Sequence, residues 1–183
     1  MEYRKTIIEE LGQTLRLVNN QQCEDFIQYF THDRRFFFAG AGRSGFAICG
    51  FAMRIMHMGY QAYFVGEPTT PSIGKNDVLV IASGSGNTAS LVAMAQKAHQ
   101  LGALVLLLTI DTASAIAQIA DCVIQIPAPS PKVENAVDFT SVQPMGTLAE
   151  QTMSLIFDSL VLELMAKDNI TSDEMFLRHA NLE

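Results

Sequence analysis

The sequence has little of what marks membrane and secreted proteins. Among its 183 residues, no uninterrupted apolar run approaches the roughly 18 residues that a transmembrane helix needs. Residues 1–15 carry acids throughout and have no apolar core of the kind found in a secretory signal. We therefore expect a cytoplasmic protein that does not associate with membranes.

Positive charge and cysteine are also scarce. The formal net charge is −7, which makes nucleic acid a poor partner because nucleic-acid binding usually requires a basic face. The three cysteines, Cys23, Cys49 and Cys122, are far apart and show no C-x-x-C spacing, so we interpret them as reduced structural thiols. The sequence contains no G-x-x-x-x-G-K-[ST] motif, so nothing in it indicates nucleotide hydrolysis. A small anionic ligand is still allowed, because backbone N–H groups bind phosphate locally whatever the global charge.

Short apolar strands alternate with helices along most of the chain, after two helices in the first thirty residues. Predicted strands span 35–39, 61–65, 77–82, 103–109 and 122–126, and predicted helices span 44–58, 87–100, 113–120 and 144–167. This alternation is typical of a parallel sheet, and wholly apolar strands are expected where both sheet faces are buried. We predict an α/β fold, a three-layer α-β-α sandwich around a five-stranded parallel, flavodoxin-like sheet.

The domain prediction is a single domain over residues 1–183. Its parts are N-terminal helices over 1–32, an α/β core over 33–127, and a loop, long helix and tail over 128–183. The segment 127–144 holds four of the six prolines, and long loops of this kind are often functional. Pro144 suits the first turn of the long helix, with Ser141 as a possible cap. This helix has more apolar surface than one sheet face needs, so we expect part of it to face another subunit.

The first candidate ligand loop follows the first strand. Its sequence, GAGRSG at 40–45, matches G-x-G-x-x-G between a strand and a helix, and Glu67 lies 22 residues beyond Gly45. On paper this is a dinucleotide-binding fingerprint. A lone match is a weak signal, and NAD binding is kept as an alternative hypothesis.

The second candidate loop, SGSGNT at 83–88, follows the third predicted strand and leads directly into a helix. It brings three hydroxyls, two glycines and the N–H groups of a helix N-terminus to one place. A phosphate monoester needs many donors around its oxygens, and such a loop supplies them. We therefore favour a phosphate site over a dinucleotide site; the remaining alternative is a loop that only caps a helix.

The two loops, GAGRSG and SGSGNT, at these places in a five-stranded α/β unit resemble the SIS (sugar isomerase) domain family. In that family the hydroxyls of the second loop hold the phosphate of a phosphosugar. The matching hydroxyls are those of Ser83, Ser85 and Thr88, the matching backbone is that of Gly84, Gly86 and Asn87, and Ser44 matches a further position near the phosphate.

Three further segments are similar to one branch of that family, the 6-phospho-3-hexuloisomerases. They are GEPTTPSI at 66–73, QPMGTLAEQ at 143–151 and RHANLE at 178–183; Ala149 departs from the bulkier apolar residue expected there. The resemblance implies interconversion of D-arabino-hex-3-ulose 6-phosphate and D-fructose 6-phosphate. Such enzymes serve formaldehyde fixation by the ribulose monophosphate pathway, or its reverse. They need no cofactor and no metal.

The resemblance also implies roles for individual side chains. Glu150 becomes the candidate base, and His179 the candidate group that opens the sugar ring or moves protons between oxygens. From their positions in the loops after the first two strands, and not from the resemblance, we expect Arg43 to face the phosphate or the enediolate, and Thr69 and Thr70 to contact sugar hydroxyls. The plain alternatives are a solvated helix carboxylate, an exposed histidine near a terminus, a surface arginine and ordinary turn residues.

Assembly follows from the same resemblance. In related enzymes such a histidine comes from a neighbouring subunit, so we expect a homo-oligomer, a dimer or tetramer, with shared active sites. Two other functions stay open. One is a regulator that binds phosphosugars without catalysis, although the sequence has no basic helix-turn-helix of the kind such regulators usually carry. The other is an isomerase that acts on a different sugar phosphate.

Overall fold

The computed structural model describes residues 2–134 and 137–182. Helices α1 (Glu2–Leu17) and α2 (Asn20–Ile27) come first, as predicted. The second helix begins where the side chain of Asn19 accepts a hydrogen bond from the backbone N–H of Gln21, a typical N-terminal cap. Both helices pack against the long helix near the end of the chain, so the N-terminal segment is part of the core.

Five strands form one all-parallel sheet in the order β2-β1-β3-β4-β5. The strands are β1 (Arg35–Gly40), β2 (Gln61–Phe64), β3 (Val78–Ala82), β4 (Leu104–Thr109) and β5 (Cys122–Gln125). All five residues of the central strand β3 are buried, as expected for a strand covered on both faces. The predicted α/β sandwich with a five-stranded parallel sheet is confirmed.

Helices cover the two faces of the sheet unequally. The remaining helices are α3 (Gly42–His57), α4 (Ala89–Gln100), α5 (Thr147–Asp168) and α6 (Ser172–Phe176). Helices α3 and α5 pack side by side on the face that α1 and α2 also cover, and α4 packs on the other face. Stacked rings join the helix layer internally and to the sheet: the ring centroids of Phe51 and Phe157 are 4.5 Å apart, as are those of Phe30 and Phe36.

The helix predicted over 113–120 is wrong. Only a single 3₁₀ turn forms there, at Ala117–Ile119. The N–H of Ile116, which would make the first internal bond of such a helix, donates instead to the carbonyl oxygen of Gly86 at 3.2 Å. The N–H of Ala115 also donates to the loop after β3, where the side chain of Asn87 accepts it at 2.9 Å.

The long helix also begins later than predicted. It starts at Thr147, with Gly146 as its N-cap, because Met145 has a positive φ of 56° that a continuous helix does not permit. The hydroxyl of Ser141 does not cap the helix; it donates to Glu10 at 2.7 Å. Among the residues described, no helix is both long and apolar enough to cross a membrane.

Candidate active site

The glycines of the first loop have a packing reason. A Cβ atom on Gly40 would lie 2.8 Å from the Cα of Gly45, and one on Gly45 would lie 2.9 Å from the carbonyl oxygen of Gly40. The end of β1 and the first turn of α3 therefore touch through two residues without side chains. This contact accounts for the first and third glycines of the G-x-G-x-x-G pattern, and a positive φ of 58° accounts for Gly42, so the pattern does not require a dinucleotide. The contact also brings Ser44, in the first turn of α3, to the carboxyl edge of the sheet.

The hydroxyls of the second loop accept hydrogen bonds that shape the loop and also line the pocket described below. Ser83 Oγ accepts from the N–H of Gly86 at 3.2 Å, and Ser85 Oγ accepts from the N–H of Asn87 at 3.3 Å. Each hydroxyl proton thus remains available to an acceptor. Thr88 is the N-cap of α4, yet its hydroxyl makes no capping bond within the described chain. A free hydroxyl and free N–H groups at a helix N-terminus suit an anion.

Gly86 and Asn87 support the loop from behind. The carbonyl oxygen of Gly86 accepts from Ile116 at 3.2 Å, and the side chain of Asn87 accepts from Ala115 at 2.9 Å. Both contacts tie the loop to the segment after β4. The two residues lie outside the lining of the pocket described next, so their predicted contact with phosphate stays a prediction.

One pocket, with a cavity of about 360 Å³, opens at the carboxyl edge of the sheet. A volume of this size suits a small ligand such as a sugar phosphate. Six of the ten predicted site residues line it: Ser44, Ser83, Gly84, Ser85, Thr88 and Glu150. The N-termini of α3 and α4 and the first turn of α5 therefore converge on one space, as expected for the ligand edge of a parallel sheet.

Glu150 lies in the first turn of α5, and its side chain is 21% exposed. The Nε of Arg43 donates a charge-assisted hydrogen bond to its Oε2. Arg43 itself is 58% exposed and lines a shallower cavity beside the main pocket, together with Glu150. This pair places one carboxylate and one guanidinium at the boundary between the pocket and the surface groove that runs between helices α3 and α5.

Sequence reasoning missed part of the pocket wall. Ser130, Pro131 and Lys132 line it from the loop after β5, and Met145 and Gly146 line it from the segment before α5. The proline-rich composition of 127–144 marked this loop as unusual, but nothing in the sequence pointed to these positions. Residues 135 and 136 of the same loop lie outside the described part of the chain.

His179 lies at the other end of the molecule within its own subunit. Its ring centroid is 5.5 Å from that of His57 and 5.6 Å from that of Phe176. Burial lowers the pKa of the His57 imidazole, and Arg54 and His179 lower it further. Ser44 and His57 are thirteen residues apart on α3, a rise of roughly 20 Å, so His179 does not reach its own pocket. Glu183, the last residue of RHANLE, lies outside the described residues.

Thr69 and Thr70 also lie away from the pocket lining. The hydroxyl of Thr70 donates to the carbonyl oxygen of Phe64 at 2.7 Å and so holds the loop after β2. Glu67, the acid of the dinucleotide fingerprint, is exposed in the same loop.

Comparison with known proteins identifies the sequence family. The family model of the SIS domain matches residues 29–159. A Bacillus subtilis (strain 168) protein named 3-hexulose-6-phosphate isomerase is 42% identical over 182 residues, covering 100% of this chain and 98% of its own. A protein of that name from Mycobacterium gastri is 35% identical, covering 96% and 87%. A solved structure from Methanococcus jannaschii, from which a 3-hexulose-6-phosphate isomerase function was inferred, has a TM-score of 0.85 and 29% identity, covering 100% of both chains.

Proposed function

The chain belongs to the SIS domain family, and on that premise we propose that it is a phosphosugar isomerase, one that interconverts D-arabino-hex-3-ulose 6-phosphate and D-fructose 6-phosphate. The relatives named 3-hexulose-6-phosphate isomerase match it over nearly their full length, which supports this substrate. The observation that carries the proposal is a single pocket lined by both the hydroxyl loop and Glu150. Residues 1–183 act as one domain in this proposal, and the cytoplasmic location stays a prediction.

The phosphate binds at the N-terminus of α4. Ser83, Ser85 and Thr88 donate their hydroxyl protons to its oxygens, and backbone N–H groups of the first helical turn add further donors. Ser44 approaches the same place from the first turn of α3, the helix that follows the neighbouring strand β1. This arrangement anchors one end of the sugar and leaves the other end directed at the start of α5.

Glu150 is the base in the proposed chemistry. The reaction moves a carbonyl from C3 to C2: the carboxylate removes the proton on C2, a 2,3-enediolate forms, and the proton returns to C3. A second proton passes between the two oxygens, so the atoms balance without an oxidant or a reductant. A positioned carboxylate is a competent general base for such a transfer. Its 21% exposure and its place in the lining of the pocket that the hydroxyl loop also lines support this role.

Arg43 stabilises the charge that develops. When Glu150 takes up a proton, the negative charge moves from the carboxylate to the enediolate oxygens. A guanidinium already bonded to that carboxylate lies beside both positions and compensates the charge in either. Its five N–H donors allow it to keep one partner while contacting the other.

His179 acts across a subunit interface in this proposal. Helices α3 and α5 run parallel: Arg43 meets Glu150 at one end of their groove, and Arg54 lies with Leu162 at the other, where His179 also lies. The two helices expose large apolar side chains, namely Phe46, Met53 and Met56 on α3 and Leu155 and Leu162 on α5, and Phe46 and Leu162 line cavities between them. Exposed apolar patches of this kind mark interaction surfaces.

A twofold axis through the middle of that groove would make the contact isologous, so that each end faces the opposite end of the partner. The partner subunit's His179 would then lie over Glu150. This geometry supports the expected dimer or tetramer with shared active sites, and it explains why a histidine far from its own pocket can serve the reaction.

The test is a coupled assay on wild type and Glu150→Gln. Hex-3-ulose 6-phosphate is made in situ from formaldehyde and ribulose 5-phosphate, and fructose 6-phosphate formation is followed as NADPH. We expect Glu150→Gln to lower kcat by about 10²- to 10⁴-fold, the usual contribution of a general base, with phosphate binding retained. Glu163→Gln, on an exposed position of the same helix, is the matched control and should keep wild-type turnover.

The rival functions give different results in this experiment. Wild type that binds sugar phosphates but turns none over is a regulator, and wild type that isomerises only another sugar phosphate belongs to a different branch of the family. Either result contradicts the proposed substrate. A change in NADH fluorescence on adding the protein would revive the dinucleotide hypothesis for the first loop.

A further inference from the structure

A tight turn in the proline-rich loop reaches the pocket. The N–H of Val133 donates to the carbonyl oxygen of Ser130 at 3.2 Å, which closes a four-residue turn with Pro131 and Lys132 at its tip. Serine at the first position and proline at the second are the residues that such turns favour. The N–H of Lys132 also donates to Ser130 Oγ at 3.3 Å, so the backbone at the lysine is held in place.

Both ends of this turn are anchored. Ala128 is fully buried, and its N–H donates to Ile126 at 2.9 Å directly after β5. On the other side, Val133 packs against the main hydrophobic cluster. The turn is thus part of the pocket wall, and Lys132, exposed at its tip, is among the residues that line the cavity.

Charge in the pocket is unevenly supplied. Among the described residues that line it, Glu150 and Lys132 are the only ones with ionisable side chains at neutral pH. The loop 83–88 contains hydroxyls and backbone but no cation. Arg43, which lines the adjoining cavity, is already bonded to Glu150. Within residues 2–134 and 137–182, Lys132 has no carboxylate within 4.0 Å.

The strand order separates the two charges. Because the order is β2-β1-β3-β4-β5, the loop after β3 lies between the loop after β1, where Arg43 and Glu150 meet, and the loop after β5, which carries Lys132. A dianion held by the β3 loop therefore has the carboxylate on one side and the ammonium group on the other. Among the described residues that line the pocket, Lys132 is the only one with a cationic side chain.

We propose that Lys132 binds the phosphate group of the substrate and is the cation that balances it in the pocket. This inference rests on the proposed phosphosugar function and adds a residue to its binding site. A flexible ammonium group at the pocket mouth attracts the incoming dianion and then closes on it, while the hydroxyl loop sets its orientation. Lys132 is a binding residue in this role and takes no part in proton transfer.

The test compares Lys132→Met, Lys132→Arg and Lys75→Met in the full chain. Inorganic phosphate binding is measured by calorimetry, and kcat and KM are measured in the coupled assay. We expect Lys132→Met to weaken phosphate binding and raise KM by about tenfold or more, as for a lost charge-assisted contact, with kcat within about threefold of wild type. Lys132→Arg should recover most of the affinity. Lys75, exposed at the opposite edge of the sheet, should behave as wild type.

Two outcomes would overturn the inference. One is unchanged phosphate affinity and KM in Lys132→Met, which would leave the lysine a surface residue. The other is a fall in kcat at constant phosphate affinity, which would place the lysine at the reacting carbons. Failure of the proposed function is a separate result, because it appears in wild type as phosphate binding without isomerisation.

Discussion

At the scale of single residues, Gly86 is the most tightly constrained position of the candidate phosphate loop. It has a positive φ of 59°, and a Cβ atom there would lie 2.5 Å from the Cβ of Ser114. Gly86→Ala therefore combines an unfavourable backbone conformation with a clash. We expect it to lower the free energy of unfolding by about 2–4 kcal/mol, measured by urea denaturation.

The matched control for that substitution is Gly12→Ala. Gly12 lies inside α1, where a Cβ atom would meet only the flexible end of Arg16 at 3.5 Å. Alanine should stabilise this helix by about 0.5–1 kcal/mol. Equal stability of Gly86→Ala and wild type would show that the segment around Ser114 yields easily, and would remove the support role assigned to this glycine.

Single residues also show what the sequence could and could not predict about the site. Ser83, Ser85 and Thr88 were predictable because a hydroxyl-rich loop between a strand and a helix has one usual use. Lys132 was not, because its place in the pocket depends on where a proline-rich loop folds back. The sequence assigned His179 to the reaction only by resemblance, and its distance from the pocket of its own subunit could not be read from the sequence.

At the scale of elements, the contact between α1 and the segment before α5 depends on one carboxylate. Glu10 accepts hydrogen bonds from the hydroxyl of Ser141 at 2.7 Å, the N–H of Val142 at 2.8 Å and the side chain of Gln143 at 2.9 Å. Burial alone would raise the pKa of Glu10, but these three bonds outweigh it and hold the pKa below its ordinary value. The first helix thereby fixes the segment that leads to Glu150.

The pH dependence of this contact has a defined sign. A carboxylate whose pKa is lowered in the folded state contributes stability above the pKa of the unfolded chain, about 4.5, and loses it as the pH falls through the folded value. We therefore expect Glu10→Gln to be less stable than wild type at pH 7, by urea denaturation, and the difference to shrink below about pH 4.5. Glu9→Gln, whose exposed carboxylate has only an exposed ion pair with Lys5 at 3.8 Å, should show a much smaller trend. A difference that stays constant from pH 7 to pH 3.5 would contradict the assignment.

The elements themselves were predicted unequally well. The five strands follow from apolar runs between turn residues, and their order agrees with the alternation of strands and helices. The helix expected over 113–120 does not form because the N–H of Ile116, which would make its first internal bond, donates to the carbonyl oxygen of Gly86. The start of α5 moved because Met145 has a positive φ, and Ser141 donates to Glu10 rather than capping the helix. Long-range contacts such as those of Ile116 and Ser141 leave no local signal in the sequence.

At the scale of the whole molecule, two features point to the same subunit contact: the exposed apolar groove between α3 and α5, and the position of His179 away from the pocket of its own subunit. Leu162 is 66% exposed and Phe46 is 80% exposed, at opposite ends of the groove. Packing two copies about a twofold axis would bury both ends at once. The sequence indicated that the long helix has apolar surface to spare, but only the folded chain shows that the pocket lies at one end and the histidine at the other.

A subunit-mixing experiment tests the shared site directly. Glu150→Gln and His179→Asn should each form an inactive homo-oligomer. If His179 acts across the interface, a mixed dimer has one site with both substitutions and one site with neither. Random re-assembly of equal amounts makes half of the dimers mixed, so about one quarter of wild-type activity should return.

The alternative geometry predicts a different number. If each histidine served its own subunit, every site of a mixed dimer would carry one substitution, and mixing would restore nothing. Activity is measured in the coupled assay before and after the two variants are unfolded together in urea and refolded. Refolding of each variant alone is the control, because it should stay inactive. Recovery near one quarter would show that each active site is built from two chains, and no recovery would contradict the shared site proposed for His179.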